Sequence, residues 1–517
     1  MLSTQRYLTP QKVNGLRLLP RRCTIAIMCF RPAIKAFEAY KVEMSEEDQQ
    51  RRHFLLLHPS HVLFCSKDSI DFVVLSEIYG GPQTVGLIEE LAAYGISKII
   101  GLSLAGSLKP TLPIGTDFYI RGATAEPGST PTYDPAPMIT SNMQNRYGLR
   151  AETIWTTNAL YREYQADVES AKQKGCAAVN IDSSHFFAAC KALGIFCTNL
   201  CTISDLLESD SDTWSNSLSD IVGGQAELQT GLAEKVINSI MTEYVHIETV
   251  YQQHQDFLLE KVKTLFEEIN VCKSHNIDHI HRVLTHTVYA LSLENIPLKL
   301  AYLIRFAAIL HDADDKKIRQ IQADKERQKE ETPERLAYIA ELEADGYPQA
   351  TQMLKALMFY SNEDIELVLE MIGYVSFFSN ANTVSPRARQ LPWLLLPRYA
   401  DRLEALGTIG VQRTIQFSKT ISNPWVVETT LAPADDEVES ILAMATDDRL
   451  ANYQARGISD SMIDHFYDKL LHIGKGIPTN NHYIAEALKG AVDPLFEVIR
   501  AHRQGRLEAF LTEAYDV

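Results

Sequence analysis

Phe72-Val73-Val74-Leu75, followed by Ile78-Tyr79-Gly80-Gly81-Pro82-Gln83-Thr84, decides the fold of the first half of the chain. A short apolar, β-branched run leads into a small-residue turn, and Val85 to Tyr94 then repeats its apolar residues at helical spacing. Ser97 to Leu102 returns to a strand pattern. Strand, turn, helix, strand is the unit of an α/β domain. At such a turn small residues let backbone approach a ligand or tighten the chain, so Gly80 and Gly81 are candidate substrate-binding positions. The alternation begins at Thr24-Ile25-Ala26-Ile27-Met28 and continues to about residue 246. After about residue 250 long helical periodicities replace it, at Asp256 to Ile269, Ile280 to Leu293 and Pro297 to Leu310. A charged block over residues 315–345 reads as an exposed helical excursion.

With 517 residues the chain is longer than one hydrophobic core usually serves, so two large domains are expected. Apolar residues at 45% and charged residues at 22% exclude a mostly disordered or collagenous chain. The net charge of −17 opposes nonspecific attraction to nucleic acid or an anionic membrane surface, so neither is an expected partner. No run approaches the ~20 apolar residues of a membrane span. The first 22 residues are basic and lack acids, as a transit peptide would, but a strand-like run follows at once. A soluble, cytoplasmic protein is the expectation. The eight cysteines are irregularly spaced, mostly in apolar runs, and read as reduced core thiols.

In the helical half, His279, the pair His311-Asp312, and Asp401 could form one hard-metal site. Two imidazoles and two carboxylates hold a divalent ion, cancel its charge and leave positions for water and a phosphate oxygen. Without a thiolate the set does not suit a structural zinc cluster. The context is specific: His275-Asn276-Ile277-Asp278-His279-Ile280-His281-Arg282-Val283, Ile309-Leu310-His311-Asp312-Ala313-Asp314-Asp315-Lys316 and Ala400-Asp401-Arg402-Leu403-Glu404-Ala405-Leu406-Gly407. They are followed by Thr408-Ile409-Gly410-Val411-Gln412-Arg413-Thr414 and Asp464-His465-Phe466-Tyr467-Asp468-Lys469-Leu470-Leu471. In this order they resemble the HD-domain phosphohydrolases, and a bacterial subgroup that includes nucleotide pyrophosphohydrolases. The resemblance implies that His279, His311, Asp312 and Asp401 ligate one divalent ion, whether Mn, Mg, Fe, Co, Ni or Zn. Asp315, expected one helical turn beyond His311 and Asp312, is a candidate proton acceptor, and Lys316 a candidate phosphate contact. Asn276 departs from the subgroup, which usually has Asp beside the first histidine.

In the α/β half, Glu89-Glu90-Leu91, Tyr94-Gly95-Ile96, Leu104-Ala105-Gly106-Ser107-Leu108 and Leu112-Pro113-Ile114-Gly115-Thr116-Asp117 follow the Gly80-Gly81 turn. Asn180-Ile181-Asp182-Ser183-Ser184-His185-Phe186-Phe187-Ala188-Ala189-Cys190 and Thr202-Ile203-Ser204-Asp205 come later. This series is similar to the superfamily of nucleoside phosphorylases, uridine phosphorylases and methylthioadenosine nucleosidases. The resemblance implies that Asp182 binds the ribose diol in place of the usual Glu, and that Asp205 contacts or protonates the base at purine N7. It also implies a homo-oligomer formed through this domain. Gly101 and Leu104 stand where phosphorylases place a phosphate-binding Arg and Thr, Ile34 where nucleosidases place the water-activating Glu, and Leu160 where an aromatic residue often stacks. Phosphorolysis is therefore not expected, and hydrolysis requires another group, such as Glu38 or Glu77.

Together these readings predict two domains: an α/β nucleoside phosphorylase-like domain (mixed sheet flanked by helices) over residues 1–246, then an all-α HD domain over 261–517, joined by a helical linker at 247–260. The expected function is metal-dependent hydrolysis of a nucleotide phosphate ester or anhydride, with purine nucleoside binding or N-glycosidic cleavage in the first domain. Two alternatives remain open. The first domain is a catalytically inactive nucleotide sensor regulating the second, or it is the main glycosidase with the helical half accessory.

Overall fold

The computed structural model describes residues 18–30, 35–125, 138–140, 145–159, 163–207, 215–216, 229–270, 276–329, 332–475, 477 and 480–516. The chain divides into two compact units, one of residues 1–252 with 295–300, the other of residues 253–294 with 301–517.

The first unit is built on a ten-stranded mixed sheet. Its strands are β1 (Ile25–Cys29), β2 (Val62–Lys67), β3 (Ile70–Leu75), β4 (Lys98–Ser107), β5 (Asp117–Ala125), β6 (Met138–Thr140), β7 (Ala151–Thr156), β8 (Ala178–Asn180), β9 (Phe196–Leu206) and β10 (Ser215–Asn216). β4 pairs in parallel with β1 and β9 and antiparallel with β8, while β5 links β9 to β7 and β7 pairs with β8. The strands β4, β9, β5, β7 and β8 thus close on themselves, a ring that leaves its members no unpaired edge along the paired stretches. β1 is buried along its whole length, which is why its sequence reads as a continuous apolar run rather than an alternation. Helices α1 (Gly80–Ala93), α2 (Gln165–Gln173) and α3 (Ser183–Ala192) accompany the sheet. Leu87 and Leu91 of α1 and Phe186 and Phe187 of α3 share one core with Ile99 and Ile120 of the sheet.

Helix α4 (Thr230–Ile269) is 40 residues long. The segment 247–260, expected as a helical linker, lies inside it, and the division between units falls at Gln252 and Gln253. From there on, every described element is helical. α5 (Ile277–Ser292) buries Ile280, Val283, Leu284, Thr287 and Leu291, and the Asn276 side chain accepts a hydrogen bond from His279 N–H at its start. α6 (Leu298–Leu310) follows. The charged block forms α7 (Lys316–Arg327) and α8 (Pro333–Glu343), and α9 (Pro348–Ala356), α10 (Asn362–Val375) and α11 (Leu396–Glu404) continue the bundle. No helix of the described residues is long and apolar enough to cross a membrane. The seven described cysteines are buried, and no disulfide joins them to one another.

One expected feature is corrected. The helical turn that was to carry Asp315 beyond His311 does not form: α6 stops at Leu310 and residues 311–314 make a turn. Asp314 is buried and accepts the N–H groups of Gln349 and Ala350 at 3.0 and 2.8 Å, while Asp315 caps α7 by accepting from Lys317 N–H at 2.9 Å. Two short acidic side chains that satisfy backbone donors favour a turn and a new helix over continuation of the old one.

α12 (Gly407–Thr420) begins immediately after α11. A Cβ on its Gly410 would lie 2.3 Å from the carbonyl oxygen of Ala405, an approach that only glycine permits. Because α11 carries Asp401, this contact sets the position of a site residue. We expect Gly410→Ala to destabilise the protein by about 1–3 kcal/mol, measured by denaturant unfolding. Gly231→Ala, with nothing within 4 Å of the added carbon, should be close to neutral. Equal midpoints for the two variants would refute the close approach.

Candidate active sites

In the helical unit, helical spacing places His279, Arg282 and His286 along one stripe of α5, and Asp401 and Glu404 one turn apart on α11. The turn after α6 presents His311 and Asp312. Their polar atoms converge. His279 Nε2 lies 3.2 Å from Asp401 Oδ1 and 3.7 Å from Asp312 Oδ2. His311 Nε2 lies 3.6 Å from Asp401 Oδ1 and 3.5 Å from Asp312 Oδ1. The two imidazoles meet edge to face with centroids 5.3 Å apart. His311 Nδ1 donates to the Ala308 carbonyl at 2.8 Å, so Nε2 is the ring nitrogen turned toward the two carboxylates.

The charges of this group are strongly coupled. Burial alone would raise the Asp401 carboxyl, but the imidazoles of His279 and His311 beside it hold it well below the usual carboxylate range. Burial pulls His311 down, yet Asp312 and Asp401 outweigh it and push the imidazole up to about 9. Glu404, given no role by the sequence reading, is buried and held low against its burial by the neighbouring His279, His286 and Arg282. Its spacing three residues from Asp401 was the available signal. The donor set suits a divalent cation: ligand atoms of His279, His311 and Asp401 lie within 4.8 Å of one another, and His311 Nε2 is buried without a hydrogen-bond partner. Asp315 and Lys316 are exposed at the start of α7.

The α/β unit gathers its polar residues along β4. Asp182, buried at the start of α3, accepts from Ser103 Oγ at 2.8 Å, and Ser103 also reaches Asn199 Oδ1 at 2.8 Å. Asp205 on β9 accepts from Ser204 Oγ at 2.6 Å. It sits so close to Gly106 of β4 that a Cβ there would lie 2.8 Å from its Oδ2. Burial pushes the Asp182 carboxyl up to about 7, with only partial offset from Ser103 and the Ile181 N–H. Glu163, also missed by sequence reasoning, is pushed up to about 7 by burial and by the charge of Asp205. The one hint at its location is that it closely follows Leu160.

The glycines of the first turn have internal tasks. Gly80 adopts φ +74°, and Gly81 leaves room for the His185 ring, which a Cβ would meet at 2.4 Å. The space beside Gly101 is filled by Asn199, whose Oδ1 would lie 2.5 Å from a Cβ, and Leu104 is half-buried on the same strand. Glu38 is exposed, and Glu77 accepts from the Tyr79 hydroxyl at 2.6 Å. Ile34 and Leu160 lie outside the described residues.

Comparison with known proteins agrees with this architecture. Residues 72–238 match the model of the phosphorylase superfamily, and this region of the chain belongs to that superfamily. Two uncharacterised proteins of Acanthamoeba polyphaga mimivirus are 36% and 34% identical over 224 and 217 residues, which is 42% and 41% of this chain and 89% and 81% of theirs. A guanosine phosphorylase of Halorubrum lacusprofundi is 20% identical over 185 residues, 34% of this chain and 74% of its own. A uridine phosphorylase of Vibrio fischeri is 14% identical, with a TM-score of 0.34 over 45% of this chain and 99% of that one. The methylthioadenosine/S-adenosylhomocysteine nucleosidase of Campylobacter jejuni is 16% identical, with a TM-score of 0.32 over 42% and 97%.

The Asp182 shift carries a pH dependence. Folded, this carboxyl releases its proton near 7 instead of 3.8, so between those values the native state holds a proton that the unfolded chain has lost. Stability should therefore fall as pH rises from about 4 to about 7 and level off above, by on the order of a few kcal/mol. Calorimetric melting of the full chain at pH 5 and pH 8 reads this. Asp182→Asn should reduce the difference, and an unchanged pH dependence would refute the assignment.

Proposed function

We propose that the chain is a two-site nucleotide-processing hydrolase. Its helical unit hydrolyses a phosphate ester or anhydride of a nucleotide with a divalent ion, and its α/β unit binds a purine nucleoside and hydrolyses its N-glycosidic bond. The observation that carries the first activity is the convergence of His279, His311, Asp312 and Asp401 with interatomic distances of 3.2–3.7 Å. These four residues would hold the ion. When bound, it supplies Lewis acidity toward a phosphoryl oxygen and lowers the pKa of a water nucleophile. The protein's own contribution is orientation: His311 is fixed through Ala308, Asp401 is kept ionised, and Lys316, exposed at the head of α7, can meet a second phosphate oxygen. Asp315 has no part in this scheme, because its carboxylate caps α7.

The second activity rests on the superfamily membership of residues 72–238 and on the carboxyl groups of Asp182, Glu163 and Asp205, of which burial raises the first two to about 7. Asp182 takes the ribose diol. Glu163, poised near 7 beside Asp205, holds a proton that can reach N7 of a purine as the bond to ribose breaks. The similarity to a guanosine phosphorylase supports a purine. With Gly101 occluded by Asn199 and Leu104 apolar, these two positions offer inorganic phosphate neither a guanidinium nor a hydroxyl, which favours water as nucleophile.

A purine and pyrimidine nucleotide panel incubated with the full chain and Mn, Mg, Co, Ni or Zn, resolved by chromatography, tests both halves. We expect release of phosphate or pyrophosphate that chelation abolishes. His311→Ala and Asp401→Ala should each lower it at least ~100-fold together with metal content. Retention of wild-type turnover and metal by both variants would overturn the metal-site reading. Free purine base should appear without ribose 1-phosphate, even in phosphate buffer. Ribose 1-phosphate would refute hydrolysis, and the absence of any base would leave the α/β unit a binding domain.

A further inference from the structure

We propose that Glu404 is the positioning residue of the metal site, holding His279 as the Nδ1–H tautomer so that Nε2 presents its lone pair to the ion. The inference rests on the phosphohydrolase reading above and deepens it. A neutral imidazole that ligates through Nε2 must carry its proton on Nδ1, and histidine ligands almost always donate that proton to a carboxylate, a carbonyl or a water. The two histidines here differ in this respect. His311 donates to the carbonyl of Ala308 at 2.8 Å. His279 is 1% exposed, and its Nδ1 is buried with no hydrogen-bond partner. The acceptor that faces it is Glu404 Oε2, at 3.8 Å.

Glu404 is built for this task. Its side chain is 2% exposed and held from two sides: Arg282 Nε donates to Oε2 at 2.5 Å, and His286 Nε2 lies 3.3 Å from Oε1. His286 is steadied in turn by the Tyr483 hydroxyl, 2.7 Å from its Nδ1, and the Tyr483 ring packs on Tyr289 at 5.4 Å. His279, Arg282 and His286 lie on one stripe of α5, so a single helix face supplies both the ligand and the two groups that anchor its acceptor. Glu404 also shares α11 with the ligand Asp401, one turn away. The 3.8 Å separation exceeds an ordinary hydrogen bond by roughly 0.8 Å, which a small rotation of the His279 ring closes when Nε2 is drawn onto an ion.

The test combines ring 15N NMR of histidine-labelled, Zn2+-loaded full-length protein with Mn2+ and Zn2+ affinity measured against a chromophoric chelator. In the Zn2+-loaded wild type, where the ion displaces the proton that Asp401 at 3.2 Å otherwise draws to Nε2, His279 should show a hydrogen-bonded Nδ1–H pattern. Glu404→Leu should lose that pattern and bind both ions at least ~100-fold more weakly, and Glu404→Gln, which keeps an acceptor oxygen, should lose about 10-fold. His311 should keep its tautomer in both variants, because the Ala308 carbonyl holds it. Asp464→Asn removes a buried carboxylate elsewhere in the same unit and should leave both readouts at wild-type values. A merely structural Glu404 would lower stability while leaving tautomer and affinity in place, and that result overturns the proposal. Should the Leu variant not fold, Glu404→Gln decides, with unchanged Mn2+ and Zn2+ affinity counting against. A wild-type chain that binds neither ion sinks the phosphohydrolase reading, whereas a wild type that binds both ions beside Glu404 variants that bind them equally well overturns the Glu404 proposal alone.

Discussion

β4 is the strand on which the α/β unit depends. Its first half pairs with β1, its last residues pair with β8, and its whole length pairs with β9, so one strand joins the open part of the sheet to the closed ring. Its first residue is Lys98, a fully buried cation whose Nζ lies 2.6 Å from Thr198 Oγ1 and 3.6 Å from Glu243 Oε2, with the Tyr147 hydroxyl 3.1 Å from the other oxygen of Glu243. Removing one partner of such a pair leaves an uncompensated buried charge, at a cost of roughly 3–5 kcal/mol. The pair therefore ties α4 to the sheet in one register. Farther along the same strand, Ser103 meets Asp182 and Gly106 makes way for Asp205, so the strand that closes the ring also carries the contacts of both candidate carboxylates.

The helical unit follows a different rule, in which helix ends rather than strand pairing bring the chemistry together. α6 must stop at Leu310 for His311 and Asp312 to turn toward His279, and the stop is enforced by Asp314 and Asp315, each spent on backbone donors of later helices. On the far side, α11 ends at Glu404 and the chain doubles back past Gly410, which places Asp401 and Glu404 against α5. Four side chains from three distant stretches of sequence then share one small volume. Imidazole and carboxylate stabilise one another there, and the same proximity makes the group fit for a cation.

Both sites keep carboxyl groups away from their ordinary proton affinity, in opposite directions. Near α5 the histidines and Arg282 hold carboxylates ionised, whereas in the α/β unit burial raises Asp182 and Glu163 toward neutrality, for Glu163 with the charge of Asp205 added. Ionised oxygens suit a cation. A neutral carboxyl beside a charged one suits proton delivery to a departing base.

Resemblance to known families supplied the candidates His279, His311, Asp312, Asp401, Asp182 and Asp205. Local pattern in the sequence determined the elements: the buried run at residues 25–28, the Gly80-Gly81 turn into α1 and the change from strand to helical periodicity near residue 250. These are legible because side-chain periodicity and turn chemistry act over a few residues. Tertiary structure alone decided what those residues face. Asp315 kept its place in the chain but lost its expected orientation, since the capping demands of α7 outweighed helical continuation. Gly81 serves the His185 ring, and Gly101 is hemmed in by Asn199, partners about a hundred positions away. Glu163 and Glu404 entered only through the folded chain, because a carboxyl's proton affinity and its partners are set by burial and by charges that sequence distance does not reveal.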